Sequence, residues 1–202
     1  MFWDRVAWVY DVFVNNVNGK THLALRRIVA DLIEAEDEVL ECACGTGLLT
    51  GVIAEKCRDL TATDFSVQML NRARKHCAAY RNISFSCANI TALDYPDDTF
   101  DKVVAGNVIH LLEEPMKALR ELNRVCRPGG SLIIPTYINH DRKGKANRFV
   151  SAVGKAGADF KRQFTRKSYR KFFQDAGYPD VTISIAEGRI PCAVAVMKKV
   201  YG

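Results

Sequence analysis

Two glycines and two acids in the first third of the chain have the types and spacing of a nucleoside-binding site. Gly45 and Gly47 follow an apolar segment that contains Glu41, and Asp64 lies seventeen residues after Gly47. Glycine adopts backbone angles that a Cβ forbids, so the main chain can approach a ligand closely. A carboxylate at the end of the following strand can accept hydrogen bonds from a ribose diol. The spacing therefore predicts a site for a cofactor that contains a nucleoside.

The same residues match only half of the dinucleotide-binding pattern G-x-G-x-x-G. Thr50 stands where that pattern has its third small residue, and Gly51 follows one position too late. The carboxylate of Glu41 would repel a pyrophosphate, whereas it suits a cationic amine or a bound water. Both features count against the alternative of a nicotinamide-dependent oxidoreductase.

Alternating apolar segments and helical periodicities predict the elements that position these residues. Helices are predicted at about 47–57, 66–79 and 115–126 between the first five strands, and this alternation is typical of a parallel sheet. The last two segments suit an antiparallel hairpin, so we expect an α/β fold with seven strands. The predicted strands are 38–43, 59–63, 82–87, 101–106, 130–137, 180–187 and 191–199.

Over nearly its whole length the chain resembles the class I S-adenosylmethionine-dependent methyltransferases. Residues 41–47 are similar to the first motif of the family, acid-x-Gly-x-Gly-x-Gly, with Ala43 in place of the first glycine. Asp64, Phe65 and Met69 resemble the second motif, in which the acid holds the ribose and the methionine flanks the adenine. The resemblance implies a Rossmann-like, doubly wound, mostly parallel sheet with an antiparallel C-terminal hairpin.

The third motif and the segment after the fourth predicted strand extend the resemblance. Asn89 stands in place of the usual aspartate, and its side-chain carbonyl can accept a hydrogen bond from the adenine amino group. The family therefore implies a transferase that binds S-adenosylmethionine and releases S-adenosylhomocysteine. The cofactor-binding residues it implies are Glu41, Ala43, Gly45, Gly47, Asp64, Phe65, Met69, Asn89, Ile90 and Asn107.

The resemblance also implies one domain, 1–202, with an N-terminal helical lid at 1–35 and a substrate-cap insert at 138–165. Trp3, Ala7, Tyr10 and Asp11 are similar to a pattern in the quinone-biosynthesis-like, or type 11, branch of the family. Tyr10 is thus a catalytic candidate that can approach the methionine carboxylate or the transferring methyl group. The alternative is that Tyr10 contributes to an apolar helix face.

His110 follows the fourth predicted strand, close to the place where the family binds its substrate. An imidazole ionises near neutral pH, so His110 is a candidate general base, with a structural role at a helix start as the alternative. In-line methyl displacement needs such a base only if the attacking atom carries a proton at neutral pH. We expect His22 and His76 to lie at surface positions of helices.

The charge of the chain is concentrated after the fifth predicted strand. Residues 138–175 contain eleven Lys or Arg against three Asp, a net charge of +8, whereas the whole chain has +6. A basic cap favours anionic partners, such as a phosphate-bearing metabolite or a membrane surface, and a solvated helix face is the alternative. The layout also resembles the short bacterial phospholipid N-methyltransferases.

The absence of one motif and the pattern of cysteines indicate which partners and which compartment to expect. Segment 106–109 lacks the Asn/Asp-Pro-Pro-aromatic motif of amino-base methylation, so nucleic acid is not expected. Seven scattered cysteines suit reduced thiols, and Cys42 and Cys44 are spaced too closely for a typical metal site, so we expect no metal. We expect a cytoplasmic enzyme that acts on a small molecule, with peripheral membrane contact left open and no obligate protein partner. A non-catalytic cofactor-binding protein is the remaining alternative.

Overall fold

The computed structural model describes residues 18–139 and 161–199. The helices of these residues are α1 (Gly19–Ala30), α2 (Thr50–Ala54), α3 (Val67–His76), α4 (Pro115–Val125) and α5 (Arg166–Asp175). The strands are β1 (Glu38–Cys42), β2 (Asp59–Asp64), β3 (Ile83–Cys87), β4 (Phe100–Ala105), β5 (Cys126–Asn139), β6 (Phe164–Thr165), β7 (Thr182–Ala186) and β8 (Cys192–Lys198).

The strands form one sheet in the order β3-β2-β1-β4-β5-β8-β7, and β6 pairs with β5 beside this path. Strands β1 to β5 run parallel to one another, whereas β8 runs antiparallel to both β5 and β7. The predicted α/β fold, mostly parallel with an antiparallel C-terminal hairpin, is confirmed. The direction of strand order changes between β1 and β4, which is the place where open α/β sheets bind their ligands.

Apolar side chains cover both faces of the sheet. Consecutive residues of one strand point to opposite faces, so Val39 packs with α1, α2 and α3, whereas Leu40 packs with α4 and α5. Leu132 and Ile133 divide in the same way on β5. A parallel strand buried on both faces has a continuous apolar sequence, and this explains the apolar segments in the pattern of the chain.

The elements differ from the sequence prediction at several boundaries, and three differences concern the arrangement of the site. Helix α2 begins at Thr50, later than predicted, because Gly47 has a φ of 96° that no right-handed helix accepts. Strand β5 begins at Cys126, earlier than the predicted start at residue 130, and its pairing with β4 shifts register between Phe100 and Lys102. Strand β6 was not predicted, because two residues are too few to show any periodicity.

Helix α1 is attached to the loop between β7 and β8. The Asn18 amide donates to the carbonyl of Ile190 at 2.9 Å, and its side-chain oxygen accepts from the Ile190 N–H at 3.1 Å. His22 is buried on the same helix, and its Nε2 is hydrogen-bonded to the Tyr137 hydroxyl at 2.7 Å. The expectation that His22 lies on the surface is therefore wrong, because α1 packs against the sheet with that side.

Of the predicted N-terminal lid, the structure describes only residues from 18 onward. Tyr10 and the pattern around it lie outside the described residues, and so do residues 140–160 of the predicted cap insert. Among the helices that the structure describes, none is long and apolar enough to cross a membrane.

Candidate active site

The turn between β1 and α2 has an unusual backbone. Ala43, Gly45 and Gly47 all have positive φ, at 55°, 58° and 96°. A Cβ at Gly47 would lie 3.3 Å from the sulfur of Cys77, whereas a Cβ at Gly45 would meet no atom within 4 Å. The turn thus packs against α3 at Gly47 and borders open space at Gly45. Ala43 adopts the left-handed conformation at a cost of about 1–2 kcal/mol.

Asp64 ends β2 and joins that strand to the glycine turn. Its Oδ2 accepts a hydrogen bond from the Gly45 N–H at 2.9 Å, and its Oδ1 accepts from the Ser66 N–H at 2.8 Å. Each oxygen of a carboxylate can accept two hydrogen bonds, so this arrangement fixes the side chain and still suits recognition of a diol. The hydrogen bond places the Asp64 carboxylate next to the Gly45 backbone.

Glu41 is buried at the end of β1, with 2% of its surface exposed. Its Oε2 accepts a hydrogen bond from the Thr50 hydroxyl at 2.7 Å. Burial raises the pKa of Glu41 to about 8, against the effect of that hydrogen bond, and the nearby Asp64 charge raises the pKa further. A buried carboxyl of this kind holds its proton at neutral pH until a cation approaches it.

Thr50 is a site residue that sequence reasoning missed. It mattered in the sequence only because it breaks the dinucleotide pattern, yet it provides the hydroxyl donor to Glu41 in the first turn of α2. The sequence feature that could have identified Thr50 is its polar side chain in a helix that is otherwise apolar. His76 is exposed, as expected, but its Nδ1 is 2.7 Å from the Thr46 carbonyl of the turn.

Apolar side chains lie next to Asp64 on the surface. Phe65 is 57% exposed and Val67 is 54% exposed, which is unusual for large apolar residues. Met69 is buried, and its N–H is bound by the hydroxyl of Ser66, the N-cap of α3. Phe65 and Val67 therefore offer an apolar surface that could face a planar base, and the role of buried Met69 beside the adenine stays a prediction.

The third motif forms a local turn after β3. The side-chain oxygen of Asn89 accepts from the Thr91 N–H at 3.0 Å and from the Thr91 hydroxyl at 2.9 Å. This oxygen is the atom that was predicted to accept from the adenine amino group, so that role stays a prediction and competes with the turn. Ile90 is half-buried and packs against the core on the α4 side.

The loop after β4 carries Asn107 and His110. Asn107 has a φ of 55°, its N–H donates to Pro135 at 2.8 Å, and its side-chain oxygen is 3.8 Å from the Cys192 sulfur. His110 is buried, with 5% of its surface exposed, and burial lowers the pKa of its imidazole to about 4. The buried ring is neutral at physiological pH and much weaker as a base than the sequence-based hypothesis assumed.

The register of the sheet brings these residues to one edge. Cys42, the last residue of β1, pairs with Thr63 of β2 and with Ala105 of β4. The carboxyl ends of three neighbouring strands therefore place Glu41, Asp64 and Asn107 side by side. His110 lies at the same edge, three residues beyond Asn107.

Comparisons with known proteins agree with this geometry. The family model described as a methyltransferase domain matches residues 40–134. The demethylmenaquinone methyltransferase of Renibacterium salmoninarum is 34% identical over 136 residues, which cover 66% of this chain and 56% of that protein. The phosphatidylethanolamine N-methyltransferase of Cereibacter sphaeroides is 35% identical over 146 residues, which cover 70% of this chain and 69% of that protein. The chain spans about half the length of the demethylmenaquinone methyltransferases of Renibacterium salmoninarum, Paenarthrobacter aurescens and Clavibacter sepedonicus.

The solved structures extend the likeness to the whole fold. An S-adenosylmethionine-dependent methyltransferase of Thermotoga maritima superposes with a TM-score of 0.74 and covers 98% of this chain and 99% of its own. Its sequence identity is 18%, so this likeness concerns the fold alone. The family follows from the sequence relatives, from the matching domain and from the geometry of the turn. The chain belongs to the class I S-adenosylmethionine-dependent methyltransferases.

Proposed function

We propose that the chain transfers a methyl group from S-adenosylmethionine to a small-molecule acceptor. The observation that carries the proposal is the 2.9 Å hydrogen bond from the Gly45 N–H to the Asp64 carboxylate. It joins the glycine turn to the end of β2 at Gly45, where a Cβ would project into open space. A carboxylate fixed next to an open backbone is what recognition of a ribose requires.

The described residues fit the cofactor. Asp64 suits the ribose hydroxyls, buried Glu41 suits the cationic amine of the methionine part, and exposed Phe65 and Val67 suit the adenine. When bound, S-adenosylmethionine supplies a methyl group on a sulfonium, which needs no further activation as a leaving group. The side chains then have to orient the two reactants and exclude water, and alignment of this kind can supply about 7–11 kcal/mol of the barrier.

The protonation state of His110 indicates which kind of acceptor atom the site favours. With a pKa of about 4, the buried imidazole takes up a proton poorly at neutral pH. This favours an acceptor atom that attacks with its own lone pair and loses its proton later, such as an amine, or an atom that is already ionised. The attacking atom therefore needs correct placement more than it needs a dedicated base.

A phospholipid amine at a membrane surface is the second candidate acceptor. Lys161, Arg166, Lys167 and Lys171 are exposed near the return from the insert and along α5. Each basic group close to an anionic surface contributes about 1 kcal/mol to binding, so a few of them suffice for reversible docking. The relative named for phosphatidylethanolamine supports the same chemistry. This proposal corresponds to a cytoplasmic protein with peripheral membrane contact.

The cofactor part is tested by calorimetric titration with S-adenosylhomocysteine. Asp64→Asn removes an acceptor oxygen and is expected to weaken binding by about tenfold or more. Asp59→Asn changes a carboxylate at the opposite, exposed end of β2 and serves as the matched control, with unchanged affinity. Preferential binding of a nicotinamide dinucleotide would contradict the proposal.

The acceptor is tested with S-adenosylmethionine labelled in its methyl group. Demethylmenaquinone, phosphoethanolamine and vesicles that contain phosphatidylethanolamine are offered separately, the vesicles with and without an anionic lipid. Label in the vesicle lipid that increases with the anionic lipid would favour the membrane-surface candidate. Label in a soluble acceptor would favour a metabolite, and the absence of transfer to these acceptors and to a cell extract would contradict catalysis.

A further inference from the structure

The two ends of the insert lie side by side at the site edge of β5. Ile138 pairs with Phe164 and Asn139 pairs with Thr165, so β6 runs parallel to the end of β5. The Asn139 side-chain amide also donates to the Gln163 side-chain oxygen at 3.0 Å. The segment that returns from the insert is thus held next to the strand from which the insert departs.

Arg162 in this returning segment binds the loop that carries Asn107 and His110. Its backbone N–H donates to the His110 carbonyl at 3.1 Å. Its guanidinium donates through Nη1 to the Leu112 carbonyl at 2.5 Å and through Nη2 to the Glu113 carbonyl at 3.1 Å. One residue therefore binds three carbonyls of a loop that lies fifty positions earlier in the chain.

The chemistry of these contacts favours a role in orientation. A guanidinium is planar and always charged, and its fixed fork of donors can bind two carbonyls at a defined angle. Lysine cannot reproduce this geometry, since its ammonium is a point charge on a flexible stem. The ion pair between Lys161 and Glu113, at 3.2 Å, joins the same two segments, but Glu113 is exposed and the pair adds little.

The other end of the loop is held by the sheet. The Asn107 N–H donates to the Pro135 carbonyl at 2.8 Å. The Leu111 N–H donates to the Val108 carbonyl at 2.8 Å and so closes a turn. Between β4 and α4 the loop is therefore attached to β5 at its start and to Arg162 at its end. Removal of the guanidinium would release the end that follows His110 while the start stays attached.

We propose that Arg162 is a positioning residue that orients the His110 end of this loop for the methyl acceptor and joins that end to the segment returning from the insert. The role in catalysis rests on the proposed methyltransferase function. In the described residues the contacts of Arg162 reach only the His110 end of the loop after β4, whereas Glu41 and Asp64 belong to β1 and β2 and Asn107 is held by the Pro135 carbonyl. Loss of Arg162 therefore affects the acceptor side of the site and spares the cofactor side.

The first test is hydrogen exchange at the loop amides, which requires no activity. Arg162→Met is expected to speed exchange at Leu111 by about tenfold or more, since each hydrogen bond from a charged group that is lost is worth at least that factor. The Asn107 amide, which stays bound to the Pro135 carbonyl, is expected to exchange as in wild type. Arg162→Lys restores slow exchange at Leu111 only in part. Arg170→Met is the matched control, because Arg170 donates to the Val181 carbonyl at 2.8 Å, away from this loop.

The second test separates the two sides of the site. In Arg162→Met the affinity for S-adenosylhomocysteine and the KM for S-adenosylmethionine are expected to stay within about twofold of wild type, while kcat with the acceptor falls about tenfold or more. Arg170→Met keeps kcat. If the role of Arg162 were merely structural, thermal stability would fall in both variants. A fall in kcat at unchanged cofactor affinity would then not be seen.

Unchanged loop exchange in both Arg162 variants would overturn the proposal, as would equally fast exchange in Arg170→Met. If Arg162→Met does not fold, Arg162→Lys provides the same measurements with the charge retained. Failure of wild type to bind S-adenosylhomocysteine would contradict the proposed function. The exchange experiment still shows in that case whether Arg162 orders the loop, so the two failures are distinguishable.

Discussion

The hydroxyl of Thr50 donates a 2.7 Å hydrogen bond to the buried carboxylate of Glu41. The donor comes from the first turn of α2, and the acceptor comes from the end of β1, so the contact spans the glycine turn. Burial raises the pKa of Glu41 to about 8 even though this hydrogen bond favours the ionised form. The turn therefore encloses an acid that is poised to ionise when a cationic group enters the site.

Glu41 is expected to make the protein without cofactor less stable as pH rises. Its pKa is about 8 when folded and lies near its ordinary value of 4.5 when unfolded, so the folded state holds the proton longer. The contribution to the free energy of unfolding is complete below pH 4.5 and is lost as pH rises through about 8. The slope approaches about 1.4 kcal/mol per pH unit inside this window.

Urea denaturation at several pH values across this window checks the prediction. Glu41→Gln should remove the slope that wild type shows, whereas Glu36→Gln, at an exposed position before β1, should keep it. Equal slopes in wild type and Glu41→Gln would mean that the buried carboxyl is ionised throughout, and the interpretation of its burial would then be wrong.

Alanine at the two glycines of the turn is expected to have different effects. At Gly47 the new Cβ would lie 3.3 Å from the Cys77 sulfur and 3.5 Å from the Ala73 Cα, at a φ of 96°. Strain and crowding together should lower the free energy of unfolding by about 2–4 kcal/mol. At Gly45 the Cβ meets open space at a φ of 58°, so the cost is about 1–2 kcal/mol.

Binding of S-adenosylhomocysteine is expected to distinguish Gly45 from Gly47 in the opposite order to stability. The Cβ of Gly45→Ala enters the space beside Asp64, so the affinity for S-adenosylhomocysteine should fall more than the loss of stability alone would explain. Thermal denaturation and calorimetric titration of both variants measure the two effects. Equal stability losses at the two positions would contradict the packing of Gly47 against α3.

Glycine in place of Ala43 is expected to stabilise the turn. Ala43 has a φ of 55°, and relief of this strain offsets the greater backbone freedom that glycine has in the unfolded chain. The net gain should be at most about 1 kcal/mol in the free energy of unfolding. Ala62→Gly in β2 is the matched control and should destabilise, since Ala62 is fully buried in a regular strand. A loss of stability in Ala43→Gly would show that the left-handed backbone carries no strain.

The parts of the site that the sequence could predict are those that local pattern determines. Gly45, Gly47 and Asp64 follow directly from strand, turn and strand, so their place at the carboxyl edge was predictable. Thr50 and Arg162 were not, because their roles depend on which distant groups the fold brings to them. Arg162 is about fifty positions from the carbonyls it binds, and no periodicity marks such a contact.

His22 and His110 illustrate the same limit for burial. A histidine on a helix of mixed polarity gives no sign of which face the tertiary structure covers. His22 is buried and contacts Tyr137, 115 positions away, and His110 is buried in the loop after β4. The sequence could therefore place both residues on their elements but not predict the environment that decides their ionisation.

The buried state of His110 gives two further predictions, the first of which concerns activity. The pKa of the imidazole is about 4 because burial disfavours the charged ring, so the ring is neutral at every pH above about 5. The pH profile of kcat should accordingly have no limb near 6.5 that depends on this residue. His110→Gln is expected to leave the shape of the profile unchanged above pH 6, and a limb that disappears in the variant would restore the general-base hypothesis.

The second prediction is that the free energy of unfolding also depends on the ionisation of His110. Its pH dependence is opposite in sign to that caused by Glu41. The pKa of His110 lies near its ordinary value of 6.5 in the unfolded chain and is lowered in the fold, so the unfolded state binds the proton first. The free energy of unfolding therefore falls as pH drops from 6.5 towards 4, by up to about 1.4 kcal/mol per pH unit. Because Glu41 changes stability in the opposite direction over part of this range, the comparison is between wild type and His110→Gln at each pH. A difference in free energy of unfolding that stays constant across this window would mean that His110 is solvated in the native state. The imidazole would then be accessible as a general base.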